Sequence, residues 1–114
     1  MSAKNLLEKF AEHFNLRLET YVDSRLGHCV KLTSADDPDG WTNIQFISNC
    51  KPSHPLVYAC GYSKEDACRD YIERFLLDRD LDPFWLSGHA RWNKVEGFPR
   101  NSLEELAVFL DLSA

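Results

Sequence analysis

Residues 61–76 read GYSKEDACRDYIERFL, and this stretch decides most of the predicted fold. Ser63 can begin a helix, because its hydroxyl can accept the backbone N–H of Asp66, whose carboxylate can complete a capping box. Apolar residues then repeat at helical spacing: Ala67, Cys68, Tyr71, Ile72, Phe75 and Leu76. The charged residues between them are predicted to face water: Lys64, Glu65, Arg69, Asp70 and Arg74. The stretch therefore predicts an amphipathic helix that packs on a sheet.

The chain before this helix predicts one helix followed by strands. Within residues 3–15, apolar side chains recur at the spacing of an amphipathic helix. Residues 16–23, LRLETYVD, instead alternate apolar and polar side chains, which is the period of a half-buried strand. Further strands are predicted at HCVKLTS (28–34), WTNIQFIS (41–48) and LVYACG (56–61), with a hairpin turn at ADDPDGW (35–41) and a loop at NCKPSHP (49–55).

The chain after residue 77 is predicted to extend this core. Residues 78–88, DRDLDPFWLSG, indicate a connector, and HARWNKVE (89–96) indicates a strand. A last helix is predicted in NSLEELAVFLDL, begun by Ser102 with Glu105 three residues later. Residues 1–114 are therefore predicted to form one α+β domain. It has a mostly antiparallel sheet of three or four strands, two helices on one face, and a C-terminal strand and helix.

Length and charge limit the classes of function. A chain of 114 residues with 44% hydrophobic residues fits one ordinary globular domain. Eighteen acids against 13 bases give a net charge of -5, which opposes general attraction to phosphates, so nucleic acid is the less favoured partner. We expect no membrane segment and no secretory leader, and hence a cytoplasmic protein with reduced cysteines.

The order helix, antiparallel strands, helix resembles a double-stranded-RNA-binding domain over residues 4–77. The resemblance rests on LLEKFAEHFNLRLE (6–19) and on the quoted stretch. Members of that family recognise RNA shape with the first helix, the loop between the first two strands, and lysines at the start of the second helix. The resemblance implies that these three regions would meet RNA here.

The first helix does not match the contact residues of the family, whereas the loop between the first two strands does in part. In the first helix, Lys9 and Glu12 stand where the family presents Glu and Gln to the minor groove. The segment SRLGHC (24–29) resembles the family's glycine-histidine loop, so the resemblance places Gly27 and His28 against a minor groove.

The second helix departs from the family's charge pattern. Its basic trio is reduced to Lys64, because Glu65 and Cys68 occupy the other two positions. An acid beside a phosphate replaces attraction with repulsion. The helix is therefore predicted to keep the cap and apolar face that build the fold and to lose most of the charge that would bind RNA. A divergent RNA binder stays open as the alternative, with these residues: His28, Lys31, Lys64 and Arg69.

No pattern in the sequence favours a metal site or catalysis. Cysteine and histidine are zinc ligands, but no CxxC pair occurs among the candidates, which are His28, Cys29, Cys50, His54 and Cys60. No nucleophile-base pair or glycine-rich phosphate loop is recognisable. We therefore predict a protein that is not an enzyme and uses neither metal nor cofactor.

Large aromatic residues are the best candidates for contacting a partner. Phe84, Trp85 and Trp92 lie in the proline-interrupted segment DPFWLSGHARW (82–92), and Trp41 follows an acidic turn. The acids of this turn could meet a basic surface: Asp36, Asp37 and Asp39. Two alternatives remain, because about half of the aromatics could pack in the core and the turn could simply be solvated.

These observations predict a non-catalytic protein-binding module, an inhibitor or adaptor that occupies the surface of a partner protein. A small, acidic, tryptophan-rich chain is similar in composition to the accessory proteins of bacteriophages and mobile elements, anti-CRISPR proteins among them. Divergent binding of double-stranded RNA is the competing hypothesis.

Overall fold

A computed structural model describes residues 2–35, 44–48, 51–52, 57–78, 81–84, 92, 96–99 and 101–113. Within these ranges, three α-helices and six strands follow each other: α1 (Ala3–His13), β1 (Leu16–Asp23), β2 (Gly27–Ser34), β3 (Gln45–Ser48), β4 (Lys51–Pro52), β5 (Ala59–Gly61), α2 (Lys64–Tyr71), β6 (Asp82–Phe84) and α3 (Leu103–Ser113). A π-helical segment, Ile72–Leu76, extends α2. The α+β class predicted from the sequence is confirmed.

Serine hydroxyls cap all three α-helices. At α1 the Ser2 hydroxyl accepts the N–H of Asn5 at 3.1 Å, although this cap was not predicted. At α2 the Ser63 hydroxyl accepts the N–H of Asp66 at 3.1 Å. At α3 the Ser102 hydroxyl accepts the N–H of Glu105 at 3.2 Å. The predicted starts of the second and third helices are thus confirmed, because in each case a short polar side chain satisfies a backbone donor that the helix leaves free.

The described strands form two antiparallel sheets of three strands each, in the orders β1-β2-β5 and β4-β3-β6. β3 was predicted to form a hairpin with β2. The described part of β3 instead pairs with β4 and β6 in the second sheet. It touches β2 through a hydrogen bond just before β3, from the Ile44 N–H to the Leu32 carbonyl at 2.9 Å. Residues 36–41 of the predicted turn lie outside the described residues, as does most of the predicted strand at 89–96. β4 and β6 arise in segments that were predicted as loop and connector.

One hydrophobic core joins the helices to the sheets. Val30 and Leu32 of β2 are fully buried beneath the helices, together with Ala59 of β5. The apolar stripe predicted for α2 is confirmed, since all its members are buried except Phe75, which is half-buried. Phe75 stacks on Phe46 with ring centroids 5.0 Å apart, so the π-helical segment carries the contact to the second sheet.

Trp92 attaches the C-terminal extension to this core. Its indole is only 1% exposed and lies among three phenylalanine rings, with centroid distances of 4.9 Å to Phe10, 5.8 Å to Phe14 and 6.0 Å to Phe46. An indole held in this way has no surface left for a partner. The structure therefore places Trp92 in the core and corrects its prediction as a partner-binding residue.

Replacing Thr33 by valine is expected to stabilise the protein by about 1 kcal/mol. The Thr33 side chain is fully buried in β2, and its hydroxyl has no hydrogen-bond partner among the described atoms. A buried polar group without a partner costs free energy, whereas valine keeps the same branched shape. Urea unfolding followed by circular dichroism would measure the change, and a loss of stability in the valine variant would show that the hydroxyl is bonded.

Candidate functional site

The turn between β1 and β2 is closed by Asp23. Its carboxylate accepts the backbone N–H of Arg25 at 2.7 Å and that of Leu26 at 3.0 Å, so the turn has a defined shape. Gly27 then opens β2 at a φ of +86°, in the left-handed region that L side chains rarely adopt. The conformation of this turn is therefore encoded by an aspartate and a glycine.

Two glycines bring this turn close to the start of α2. A Cβ on Gly27 would lie 2.9 Å from the carbonyl oxygen of Gly61, and a Cβ on Gly61 would lie 2.8 Å from the Cβ of Asp66. Any larger residue at either position would collide with its neighbour. The β1–β2 turn, β5 and the first turn of α2 consequently meet at the same end of the sheet.

An open groove of about 550 Å³ lies at this junction, lined by residues 24–27 and 60–62. Tyr62 at its rim is 99% exposed, Val22 is 69% exposed, and Leu26 and Tyr21 are each about two-fifths exposed (43% and 41%). We call Leu26 and Tyr62, which both line the groove, the hairpin-end patch; Tyr21 and Val22 are consecutive in β1 and so point to opposite faces of the sheet. The described chain exposes one further large apolar side chain, Val108 of α3. Exposed apolar surface is thus concentrated at this end of the sheet.

Tyr21, Cys29 and Cys60 form a row across the sheet β1-β2-β5. Cys29 of β2 lies directly opposite Tyr21 of β1 on one side and Cys60 of β5 on the other. The Cys29 S–H donates to the Gly27 carbonyl at 3.6 Å. Burial raises the pKa of both Tyr21 and Cys29, and the neighbouring Cys60 adds to the rise at Cys29.

Glu65 at the start of α2 binds the N-terminus of α1. Its carboxylate accepts the backbone N–H of Ala3 at 2.7 Å and that of Lys4 at 3.0 Å, which are donors that the first turn of α1 cannot satisfy itself. These two hydrogen bonds lower the pKa of Glu65, and the guanidinium of Arg69, 3.5 Å away, lowers it further. Glu65, the acid that departs from the RNA-binding pattern, therefore links the start of α2 to the start of α1 through hydrogen bonds.

The residues of the alternative RNA-binding site do not gather on one surface. Arg69 is paired with Glu65, and Lys64 is exposed at the start of α2. Lys31 alternates with Val30 and Leu32, which face the helices, so it lies on the opposite face of the sheet. There its ammonium pairs with Glu19 at 3.7 Å. His28 is half-buried, and its Nδ1 has no hydrogen-bond partner among the described atoms.

The predicted contact surface of α1 is shared with α3. Lys9 and Glu12, at the positions where the resemblance implies contact with a minor groove, line a cleft of about 240 Å³ together with His13 and Leu110 of α3. The ring of His13 also meets Phe109 of α3, with centroids 6.1 Å apart. The C-terminal helix thus borders the face of α1 that would have to approach RNA.

Most of the residues predicted to contact a partner protein lie outside the described residues: Asp36, Asp37, Asp39, Trp41 and Trp85. Phe84 ends β6 opposite Gln45, and its side chain is not among those described. Val22 and Leu26 were missed by sequence reasoning. The signal for Val22 was present in part, because Val22 continues the apolar alternation of β1 to the last turn-side residues of the strand, where it is exposed.

Within the described ranges, no three side chains of the metal-ligating types come together. Two of the sequence candidates, Cys50 and His54, lie outside those ranges. No helix of the described chain has both the length and the apolar character that a membrane crossing requires. Comparison of the chain with protein-family models, curated proteins and solved structures finds no match. The resemblance to the RNA-binding domain stays a prediction.

Proposed function

We propose that this protein is a non-catalytic binding module that acts as an inhibitor or adaptor by occupying the surface of a partner protein. The hairpin-end patch is the proposed docking surface. The observation that carries the proposal is the 99% exposure of the Tyr62 ring beside the groove. Tyrosine is enriched at interface hot spots because it buries a large ring while its hydroxyl keeps a polar partner.

The surroundings of Tyr62 favour a protein partner over a nucleic acid. Leu26, which lines the same groove, is a partly exposed aliphatic residue, and such side chains gain from contact with another apolar surface rather than with phosphate. The basic residues at this end of the sheet are Arg25 in the turn and the exposed Lys64 at the start of α2, whereas Arg69 is already paired with Glu65. Of these, Arg25 lines the groove. A partner with a shallow apolar pocket and a polar rim would suit this arrangement.

Replacing Tyr62 by serine is expected to weaken partner binding at least tenfold, because a central interface tyrosine commonly contributes more than about 2 kcal/mol. The fold should be unaffected, with a change in unfolding free energy within about 0.5 kcal/mol. Tagged wild-type and variant proteins would be used for affinity capture from the native host. The captured partner would then be titrated against both.

Val108→Ser is the matched control, since Val108 is also an exposed apolar residue but lies on α3, away from the patch. It should bind like the wild type. Equal binding by Tyr62→Ser would contradict the proposed surface. A mixed-sequence RNA duplex of about 16 base pairs forms the second arm, and tight binding with a steep negative salt dependence would instead support the RNA-binding hypothesis.

A further inference from the structure

Cys29 and Cys60 are the one pair of described cysteines that the sheet places side by side. They are direct partners in the antiparallel register of β2 and β5, so both side chains project from the same face of the sheet. Cys68 instead lies in α2 and is fully buried in the core. Neither Cys29 nor Cys60 belongs to the hydrophobic core beneath the helices. Their strand neighbours Val30 and Ala59 face that core instead.

The register brings the two cysteines within the range of a disulfide. Directly opposed residues of an antiparallel pair have Cα atoms about 4.5–5.5 Å apart, and disulfides join Cα atoms separated by about 4.4–6.8 Å. The strands could therefore be joined without changing their pairing. Both thiols are free in the structure.

The two thiols differ in access to solvent. Cys60 is half-buried and lines the open groove, so a small molecule can reach its sulfur. Cys29 is fully buried, between Tyr21 and Cys60 in the sheet. An external disulfide should therefore react first at Cys60, and Cys29 should react only with a sulfur already delivered beside it.

We propose that Cys29 and Cys60 form a reversible redox site that is oxidised by exchange with a small disulfide such as oxidised glutathione. The Cys60 thiolate attacks one sulfur of glutathione disulfide, which forms a mixed disulfide and releases one glutathione thiolate. The Cys29 thiolate then attacks the Cys60 sulfur, and the second glutathione thiolate leaves. Two protein thiols are oxidised and one external disulfide is reduced to two thiols, with the two protons passing to the released thiolates or to solvent.

The test is oxidation of the isolated full-length protein with oxidised glutathione, followed by intact-mass measurement and peptide mapping. The wild type should lose two hydrogen atoms in mass and yield a Cys29–Cys60 cross-link. The cross-link closes a loop of about 30 residues, so Tm should rise by about 10 °C and return to its starting value after reduction with dithiothreitol.

Three variants make the result specific. Cys29→Ala should stop at the mixed disulfide and gain one glutathionyl group at Cys60. Cys60→Ser should gain none at Cys29, and Cys68→Ala, the matched control, should still form the cross-link. A stable glutathionyl adduct on wild-type Cys60, no oxidation at all, or a cross-link that involves Cys50 or Cys68 would overturn the proposal.

Discussion

Trp92→Ala is expected to lower the free energy of unfolding by about 3–5 kcal/mol, the range typical of removing a buried tryptophan. The indole is 1% exposed and its ring contacts Phe10 of α1, Phe14 directly after α1 and Phe46 of β3. Truncation would leave a cavity where the extension meets the core. Urea unfolding monitored by circular dichroism would measure the loss.

Trp92→Phe is the matched control for this prediction. It keeps an aromatic ring in the cavity and gives up the indole Nε1, which has no hydrogen-bond partner among the described atoms. We expect it to cost clearly less than the alanine variant. If Trp92→Ala unfolded like the wild type but failed to bind a partner, the residue would belong to an interface and its placement in the core would be refuted.

Local signals made the first half of the fold predictable. The strand predicted at 16–23 is β1, Leu16–Asp23, because strict alternation along LRLETYVD leaves one choice of secondary structure. The helix begun by Ser63 follows from its cap and its apolar stripe, both of which are encoded within one segment. Each of these elements is specified by residues that are neighbours in sequence.

The remaining features depend on residues far apart in sequence. β6 contains Pro83 in a segment that reads as a connector, and it becomes a strand only by pairing with β3. The tie between Glu65 and the start of α1 joins residues more than sixty positions apart, so no local pattern reveals it. In the sequence alone, Glu65 is an acid in place of a base and predicts a loss of RNA contact. Its architectural contacts become visible only in the folded chain.

The cluster of exposed apolar residues was hidden for the same reason. Leu26 and Tyr62 are separated by more than thirty residues, and each alone is an unremarkable surface side chain. They come to one groove because Gly27 and Gly61 allow the β1–β2 turn to approach the start of α2. The sequence contains both glycines, but their spatial relation requires the register of β2 with β5.

Glu65→Lys is expected to destabilise the protein by about 2 kcal/mol, and Glu65→Gln by about 1 kcal/mol, after allowance for the partial exposure of the carboxylate. Both variants lose the charge-assisted hydrogen bonds to Ala3 and Lys4. Lysine also places a positive charge at the positive end of the α1 dipole, which explains its larger cost. Chemical unfolding at neutral pH would measure both values.

The effect of Glu65 should depend on pH in a definite direction. Its pKa is held below the usual value of 4.5 by the two backbone N–H donors, so the folded state favours the ionised form. The contribution to stability is then complete above about pH 4.5 and is lost as pH falls through the lower pKa of the folded state. The difference between wild type and Glu65→Gln should therefore be constant near neutrality and shrink in acid. Glu73→Gln, at an exposed acid of the π-helical segment, is the control and should change stability by no more than about 0.5 kcal/mol.

Glu65→Lys also separates the two explanations of this acid, because it restores a base at a position where the resemblance implies a phosphate contact. If Glu65 served only to repel RNA, the lysine variant would gain affinity for an RNA duplex and would keep the stability of the wild type. If Glu65 joins α1 to α2, stability falls whatever the affinity of the variant for the duplex, because the hydrogen bonds to Ala3 and Lys4 are lost. Measuring unfolding and duplex binding on the same preparation therefore decides whether this residue belongs to the scaffold or to a lost RNA site.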